Sequence, residues 1–476
     1  MDLTSFNEFI SDPISLSEDH EAKPLPHVLK DFTYFKITPN EVAYTTSSKW
    51  SYSMHNLDII TLPSQSYLSV ECSITYNDGT TGNQDHQDMS GTATEDDHFA
   101  LAGIPSTAGW IGGYTYSIND QKICMQNNDL ARSLYAVNGG IFSPENRANT
   151  FTGMADPGEI LFDQIYKDNG CIELIVPLKY VIPFFRQDKA LWGVKQQLEI
   201  TKANLADIFY RKLKVNSTAV LNNYTIDSFT INSAVWYMPF VKVSDPLFSE
   251  LVPKYYNNTI SRYWLDNESF LSDIYSNTTS HTDLVYRITS KGLNHQPRFL
   301  LIHAVAADTS NTTNNTYEPL GFSGKSTAAQ NDNQIVFTNL RIRMNGIYVD
   351  GGDVWSPSAS AVSANNPSPL ANQKGYWIQY LEYVKFLGGL NDKDRPSPLP
   401  FQEWLKNQVY VIDLVNKVDI DSIFLNSSSS VVIELEFSTL QGSVAANTSF
   451  RINATLLYDK LLEIQHSNNT AVIRVN

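Results

Sequence analysis

The chain has 476 residues, long enough for two or three domains that each bury a sizeable core. Hydrophobic residues make up 42% and charged residues 18%, a composition typical of a globular chain and not of a disordered one. The formal net charge is −16, and no run of Lys and Arg interleaved with aromatics occurs. Direct nucleic-acid binding is therefore not expected, because it normally requires a basic surface.

The chain opens with an irregular stretch and then enters a first β-sandwich. Residues 1–40, with four prolines, are predicted to be an N-terminal arm, and residues 41–245 the first sandwich. The clearest strand spans 68–76, where apolar and polar residues alternate as they do in a half-buried strand. Asp78 and Gly79 follow it, and both tolerate a positive φ, so a structural turn is predicted there.

The rest of the first half contains further strands around an acidic loop. The loop spans 79–98, and a hairpin turning at 119–120 follows it. The alternating segments 172–178 and 194–200 are interpreted as a strand pair, and 229–237 as the closing strand.

The second half repeats this organisation after a weaker, Tyr-rich stretch. Residues 246–280 are predicted to connect the halves, 281–464 to form the second sandwich, and 465–476 to be a C-terminal tail. Asn345 and Gly346 give the strongest hairpin signal in the chain, and we predict a second structural turn at these residues.

One convincing helix interrupts the second half, between a long polar loop and the last strands. Its periodicity stops at two glycines, and the last alternating strands cover 431–437 and 450–456. The predicted apolar face of the helix consists of Trp377, Tyr380, Leu381, Val384 and Leu387.

These strand patterns predict an all-β chain of two tandem β-sandwiches of the jelly-roll type, with a few short helices and long loops. No secretory signal and no apolar stretch of about 18 residues is visible, so neither secretion nor a membrane span is expected. The three cysteines, Cys72, Cys124 and Cys171, are odd in number and far apart. They are interpreted as reduced core residues in an intracellular setting.

No catalytic, cofactor-binding or metal-binding residue is predicted, and the chain is not expected to be an enzyme. The loop with His86, Asp88, Asp97 and His98 has no zinc or calcium spacing, so a solvated loop is the simpler interpretation. Glu434 and Glu436 alternate with apolar residues, which indicates the solvated face of a strand and not a glycosidase pair. The Gly/Ser run at 321–326 lacks the strand-to-helix context of a phosphate loop.

Several segments in both halves resemble the double jelly-roll major capsid proteins of polintons, adintoviruses, polinton-like viruses and virophages, and more distantly the adenovirus hexon. The order and spacing of these segments carry the resemblance, since no single motif among them is specific. They include Ile-Val-Pro-Leu at 175–178, Pro-Arg-Phe at 297–299 and Asn-Gly at 345–346. The full set covers 175–178, 182–188, 193–200, 235–239, 296–302, 337–349, 410–414 and 447–459.

The resemblance implies a fold of two tandem eight-stranded jelly-roll β-sandwiches, a double jelly roll, and the function of the major capsid protein of a DNA virus or virus-like mobile element. Such a protein forms a homotrimer whose six jelly rolls make a pseudo-hexameric capsomer, which tiles an icosahedral shell in the virion. The implied partners are other copies of the chain, neighbouring capsomers, and penton and minor capsid proteins, with a host receptor as a possible further partner of the loops.

Two other classes of function compete with a capsid role. A carbohydrate-binding or adhesive β-sandwich protein would also carry surface aromatics and Asn/Asp-rich loops. A signal peptide or an even cysteine count would favour that class, and the sequence shows neither. A glycan-cleaving enzyme would need carboxylates that converge in a cleft.

Overall fold

The structure, a computed structural model, is predominantly β-sheet and includes a long helix, α1 (Gln373–Gly389), among the residues it describes. None of the helices in that part of the chain is both long and apolar enough to cross a membrane. The structure describes residues 29–40, 48–55, 59–77, 83–84, 100–103, 108–126, 171–187, 189–204, 210–212, 225–243, 245, 249, 252–253, 259–275, 280–289, 297–307, 335–349, 373–389, 401, 404, 409–414, 431–441, 449–467 and 470–475.

The first half contains eight major strands and five short ones in its described residues. The short strands have two to four residues each and lie at the margins of the larger sheets or in a separate ribbon. In chain order the strands are β1 (Leu29–Ile37), β2 (Lys49–Met54), β3 (Ile60–Thr61), β4 (Tyr67–Asn77), β5 (Asn83–Gln84), β6 (Ala100–Gly103), β7 (Ile111–Ile118), β8 (Gln121–Gln126), β9 (Cys171–Pro177), β10 (Leu191–Trp192), β11 (Gln196–Lys202), β12 (Tyr210–Lys212) and β13 (Thr225–Val243).

The eight major strands form the two sheets of one sandwich. One sheet has the order β1-β13-β4-β9 and the other β2-β11-β7-β8, with every pair antiparallel. Counted along the chain, these are the first, eighth, third and sixth strands in one sheet and the second, seventh, fourth and fifth in the other. This is the strand order of a jelly roll.

The second half repeats the same order. Its sheets are β14-β21-β16-β19 and β15-β20-β17-β18, again the first, eighth, third and sixth strands facing the second, seventh, fourth and fifth. The prediction of two tandem eight-stranded jelly rolls is confirmed. The strands are β14 (Thr259–Leu271), β15 (Ser280–Thr289), β16 (Pro297–Ala307), β17 (Ile335–Met344), β18 (Ile347–Tyr348), β19 (Tyr410–Asp413), β20 (Val432–Gln441), β21 (Ser449–Ser467) and β22 (Thr470–Val475), the last of which pairs with β21.

Alternation along the strands builds one hydrophobic core in each roll. Leu68, Val70 and Cys72 point into the first core, while Ile433 and Leu435 point into the second. Successive side chains of a strand face opposite sides of the sheet, so the residues between them lie on the outer faces. Burying a large apolar side chain contributes about 1.5–3 kcal/mol, which makes these two cores the main source of stability.

Three segments predicted to be irregular form strands instead. β1 lies within the predicted arm, β14 within the predicted connection, and β22 within the predicted tail. β14 escaped prediction because two of its buried positions, Arg262 and Asp266, carry charged side chains that break the apolar alternation. The second jelly roll therefore starts at β14, whose strand partner is β21.

Two finer predictions were wrong. The segments 172–178 and 194–200 do not pair with each other, because β9 pairs with β4 whereas β11 lies between β2 and β7 in the opposite sheet. The helix face was also misassigned. α1 contacts β19, and its buried residues include Gln379, Tyr383 and Phe386, while Trp377 and Leu381 are 45% and 40% exposed. The helix itself carries apolar residues on most of its sides, so its periodicity alone could not identify the buried side.

Candidate functional site: the seam between the jelly rolls

The two jelly rolls meet where β14 and β21 extend beyond the second core and lie against the first. Ile260 and Trp264 of β14 join the first hydrophobic core, together with Leu462 and Ile464 of β21. Tyr458, lower on β21, belongs to the second core. We call the contact of β14 and β21 with β8, β10 and the 3₁₀ turn Pro183–Arg186 the seam. Continuous strands thus pass from one core into the other, which couples the two rolls mechanically.

Aromatic rings fill the centre of the seam. Phe184, on the 3₁₀ turn, meets Trp264 edge to face, with ring centroids 5.2 Å apart and an interplanar angle of 90°. Trp192 of β10 lies against the ring of His466 at a centroid distance of 5.8 Å. An aromatic pair in such a geometry contributes about 0.5–1.5 kcal/mol beyond its burial. These ring contacts add geometric specificity to the packing between the rolls.

A buried arginine adds a polar contact across the seam. Arg262 is 3% exposed, and its Nη2 donates a hydrogen bond of 2.9 Å to the carbonyl oxygen of Ala190. Hydrogen bonds from charged donors contribute about 1.5–3 kcal/mol when both groups are buried. The hydrogen bond ties β14 of the second roll to the segment just before β10 of the first.

An ion pair and a thiol form the polar end of the seam. Asp266 of β14 pairs with Lys460 of β21, with Oδ2 and Nζ 2.6 Å apart, and Cys124 of β8 lies beside this carboxyl group. Burial raises the pKa of Asp266 although the Lys460 ammonium opposes the shift. Burial also raises the pKa of the Cys124 thiol well above its ordinary value, so the thiol is neutral.

A cavity of about 270 Å³ opens beside this ion pair between β8 and the strands of the second roll. Tyr458 donates a hydrogen bond of 3.1 Å from its hydroxyl to Glu268 at the cavity wall. The carboxyl groups here are engaged with Lys460 and Tyr458, and the thiol is protonated, so none of the described residues that line the cavity is an activated nucleophile. Among the described residues, no three His, Cys, Asp or Glu side chains are placed to hold a metal ion. The arrangement is that of a structural joint.

The predicted turn at Asn345 and Gly346 lies between β17 and β18. Both residues have a positive φ, +49° and +85°. The Asn345 side-chain Oδ1 accepts a 2.8 Å hydrogen bond from the Val432 backbone N–H, and the Asn345 N–H donates to the Val432 carbonyl. This asparagine therefore reverses the chain and also binds the start of β20 through two hydrogen bonds. We call this arrangement the asparagine clasp.

The first roll contains the same clasp at the equivalent place. Asn119, with φ +47°, lies between β7 and β8, and its Oδ1 accepts a 2.8 Å hydrogen bond from the Lys195 N–H just before β11. The Asn119 N–H donates to the Lys195 carbonyl. The two halves thus match in atomic detail at this turn, which gives a fixed point for comparing them.

The other candidate residues are placed as follows. Asp78 and Gly79 lie outside the described residues, as do the acidic loop positions 86–98 and the Gly/Ser run 321–326. Glu434 and Glu436 are on the outer face of β20, where Glu434 pairs with Arg287 and Glu436 with Arg343. Their partners are positive side chains of the neighbouring strands, which is the arrangement of a cross-strand charge ladder.

Sequence reasoning missed the residues that form the seam. Arg262, Trp264 and Asp266 fall within the stretch predicted to be a connection, and His466 within the predicted tail. Four buried residues occupy every second position of β14: Ile260, Arg262, Trp264 and Asp266. This period of two is a strand signal if a charged residue that has a partner is accepted at a buried position.

The fold is similar to that of solved virus structures. A chain of the Sputnik virophage, from a 3.5 Å cryo-EM structure, matches with a TM-score of 0.55 and 11% identity, over 94% of this chain and 89% of that chain. The crystal structure of the mavirus major capsid protein matches with a TM-score of 0.52 and 9% identity, over 93% and 90%. No protein-family model and no curated protein sequence matches. At such identities the likeness is one of fold, and it extends over both jelly rolls.

Proposed function

We propose that this chain is the major capsid protein of a DNA virus or virus-like mobile element. In this role it forms a homotrimer whose six jelly rolls build a pseudo-hexameric capsomer of an icosahedral shell, and its place is the virion. The observation that carries the proposal is the pair of jelly rolls with one strand order, joined by a buried seam. The mavirus protein of the same double fold is a major capsid protein.

The seam supports a structural role over a catalytic one. Asp266 pairs with Lys460, Arg262 donates a hydrogen bond to a backbone carbonyl, and the ring contact of Phe184 with Trp264 joins the two rolls. A shell subunit needs this property, since an error in the angle between rolls would accumulate around the shell. The further partners in this proposal are neighbouring capsomers, penton and minor capsid proteins, and a host receptor contacted through the loops.

The native mass of the purified protein tests the proposal. Three chains of 53.5 kDa give a particle of about 160 kDa by light scattering or native mass spectrometry. Negative-stain electron microscopy of the same sample should show six-lobed particles and, on concentration, curved arrays or shells. A stable monomer that binds glycans on an array would contradict the capsid role and support the adhesive alternative.

A further inference from the structure

The helix α1 carries apolar residues on two opposite sides, and only one of these sides is buried. The exposed side presents Trp377, Ile378 and Leu381, which are 45%, 45% and 40% exposed. A helix that is apolar all round is normally buried on every side. The exposed side of α1 is therefore suited to burial by a surface outside this chain. The buried residues on the opposite side include Gln379, Tyr383 and Phe386.

The three exposed residues form one continuous patch, which we call the α1 ridge. Single exposed apolar side chains are common on proteins, whereas three on adjacent turns of one helix are a patch of the kind that marks an interaction site. The Trp377 ring is also supported from below, with centroid distances of 5.5 Å to Tyr380 and 5.0 Å to Phe401. The ridge is thus a fixed, outward-facing apolar surface.

A lysine stands at each end of the ridge. Lys374 comes four positions before Ile378, and Lys385 comes four positions after Leu381. Residues four apart share one side of a helix, so both lysines belong to the side of the ridge. The Lys385 side chain is 72% exposed, and its Nζ lies 3.0 Å from Glu382. Such an exposed pair is weak, so this ammonium group can exchange the carboxylate for another anion.

We propose that the α1 ridge binds the surface of an anionic lipid bilayer, with its apolar side chains among the acyl chains and its two lysines at the lipid phosphates. Helices that lie in a bilayer surface have this composition, with Trp and Leu on the buried side and Lys beside them. Tryptophan in particular is enriched at the level of the headgroups. The ridge is convex, and lipids deform around a convex surface, whereas a protein partner needs a matching groove. The chain as a whole carries a charge of −16, so the attraction must be local and must come from these lysines.

Vesicle flotation of the purified full chain tests the ridge. The probe is phosphatidylcholine vesicles with about 30% of the anionic lipid phosphatidylserine, and the wild-type protein should float with them. Ile378→Asp combined with Leu381→Asp should lower the partition coefficient at least about tenfold, because two apolar side chains no longer enter the bilayer surface. Val285→Asp on β15 is the matched control, since it charges another apolar residue that is 59% exposed, and it should float like the wild type. Circular dichroism establishes that each variant is folded.

A second variant separates the charge contribution from the apolar one. Lys374→Glu combined with Lys385→Glu should lower binding to the anionic vesicles about tenfold and leave the remaining binding insensitive to salt. A wild-type protein that does not float, or equal flotation of the wild type and the double Asp variant, would overturn the proposal. A wild type that does not float, together with a smaller native mass of the double Asp variant, would identify the ridge as a contact between copies instead. The capsid role is tested separately by the native mass of the wild type, so either proposal can fail without the other.

Discussion

Trp264 is the residue whose removal should most weaken the joint between the two jelly rolls. It is 6% exposed, lies in the first core although it belongs to a strand of the second roll, and meets Phe184 edge to face. Trp264→Ala removes this burial and leaves a cavity where continuous strands cross between cores. Substitutions of this kind lower the free energy of unfolding by about 3–5 kcal/mol.

The assay is equilibrium urea unfolding at a fixed protein concentration, followed by tryptophan fluorescence and far-ultraviolet circular dichroism. If the seam couples the rolls, the wild-type protein gives coincident transitions by the two probes. Trp264→Ala should lower the midpoint and separate the transitions, since each roll keeps a core of its own.

The adjacent residue on the same strand supplies the control. Tyr263 points to the opposite side of β14 and is 70% exposed, so Tyr263→Ala should change the free energy of unfolding by no more than about 0.5 kcal/mol. Equal effects of the two variants, or coincident transitions in Trp264→Ala, would refute the view that this ring couples the rolls.

Three further predictions concern the seam and the clasp. Asn345→Ala should lower the free energy of unfolding by about 2 kcal/mol, because alanine is strained at this positive φ and the side-chain hydrogen bond is lost; Asn345→Gly should lose less. Lys460→Met should cost about 3–5 kcal/mol by leaving the buried Asp266 carboxyl group without its partner, and adding Asp266→Asn should recover most of that loss. Burial lowers the pKa of His466, so stability should fall as the pH drops below about 6.5, and His466→Phe should flatten this dependence between pH 7 and 5.

Each of these has a result that would count against its reasoning. If Asn345→Ala and Asn345→Gly lower the free energy of unfolding equally, a Cβ atom at this positive φ causes no strain. A double variant at 266 and 460 as unstable as Lys460→Met would mean that the ion pair is not the source of the loss. The histidine prediction has a defined sign: a group with a depressed pKa in the folded state takes up a proton more readily when unfolded. The prediction is contradicted if the free energy of unfolding of the wild-type protein rises between pH 7 and pH 5 and that of His466→Phe changes with the same slope.

The sequence predicted best those strands that have one buried and one solvated face. Alternation in 68–76 and 431–437 located β4 and β20, because Leu68, Val70, Ile433 and Leu435 face the cores and their neighbours do not. The hairpin residues Asn345 and Gly346 were visible from their conformational preference. Such signals are local, and they require no knowledge of which strands are neighbours.

The seam could not be predicted because its partners are distant in sequence. Arg262 donates a hydrogen bond to a carbonyl 72 residues away, and Asp266 pairs with Lys460 on a different strand. Read locally, both charged residues indicate solvent exposure, and they hide the strand that contains them. The buried face of α1 was predicted wrongly for the opposite reason. Apolar residues indicate burial, but Trp377 and Leu381 are exposed. In both places the tertiary environment, and not residue type, decides which side is buried.

Joining two jelly rolls in one chain changes how a six-roll particle can assemble. The seam buries Trp264, Leu462 and Ile464 as the chain folds, at an effective concentration set by covalent connection and not by the amount of protein. In the proposed trimer, three of the six contacts between rolls are therefore already made in the separate chains. Only the three contacts between copies depend on concentration. The trimer concentration should therefore scale with the third power of the chain concentration, whereas a particle of six separate rolls would scale with the sixth power of the roll concentration. The ring contact of Phe184 with Trp264 and the hydrogen bond from Arg262 to Ala190 belong to the first kind of contact.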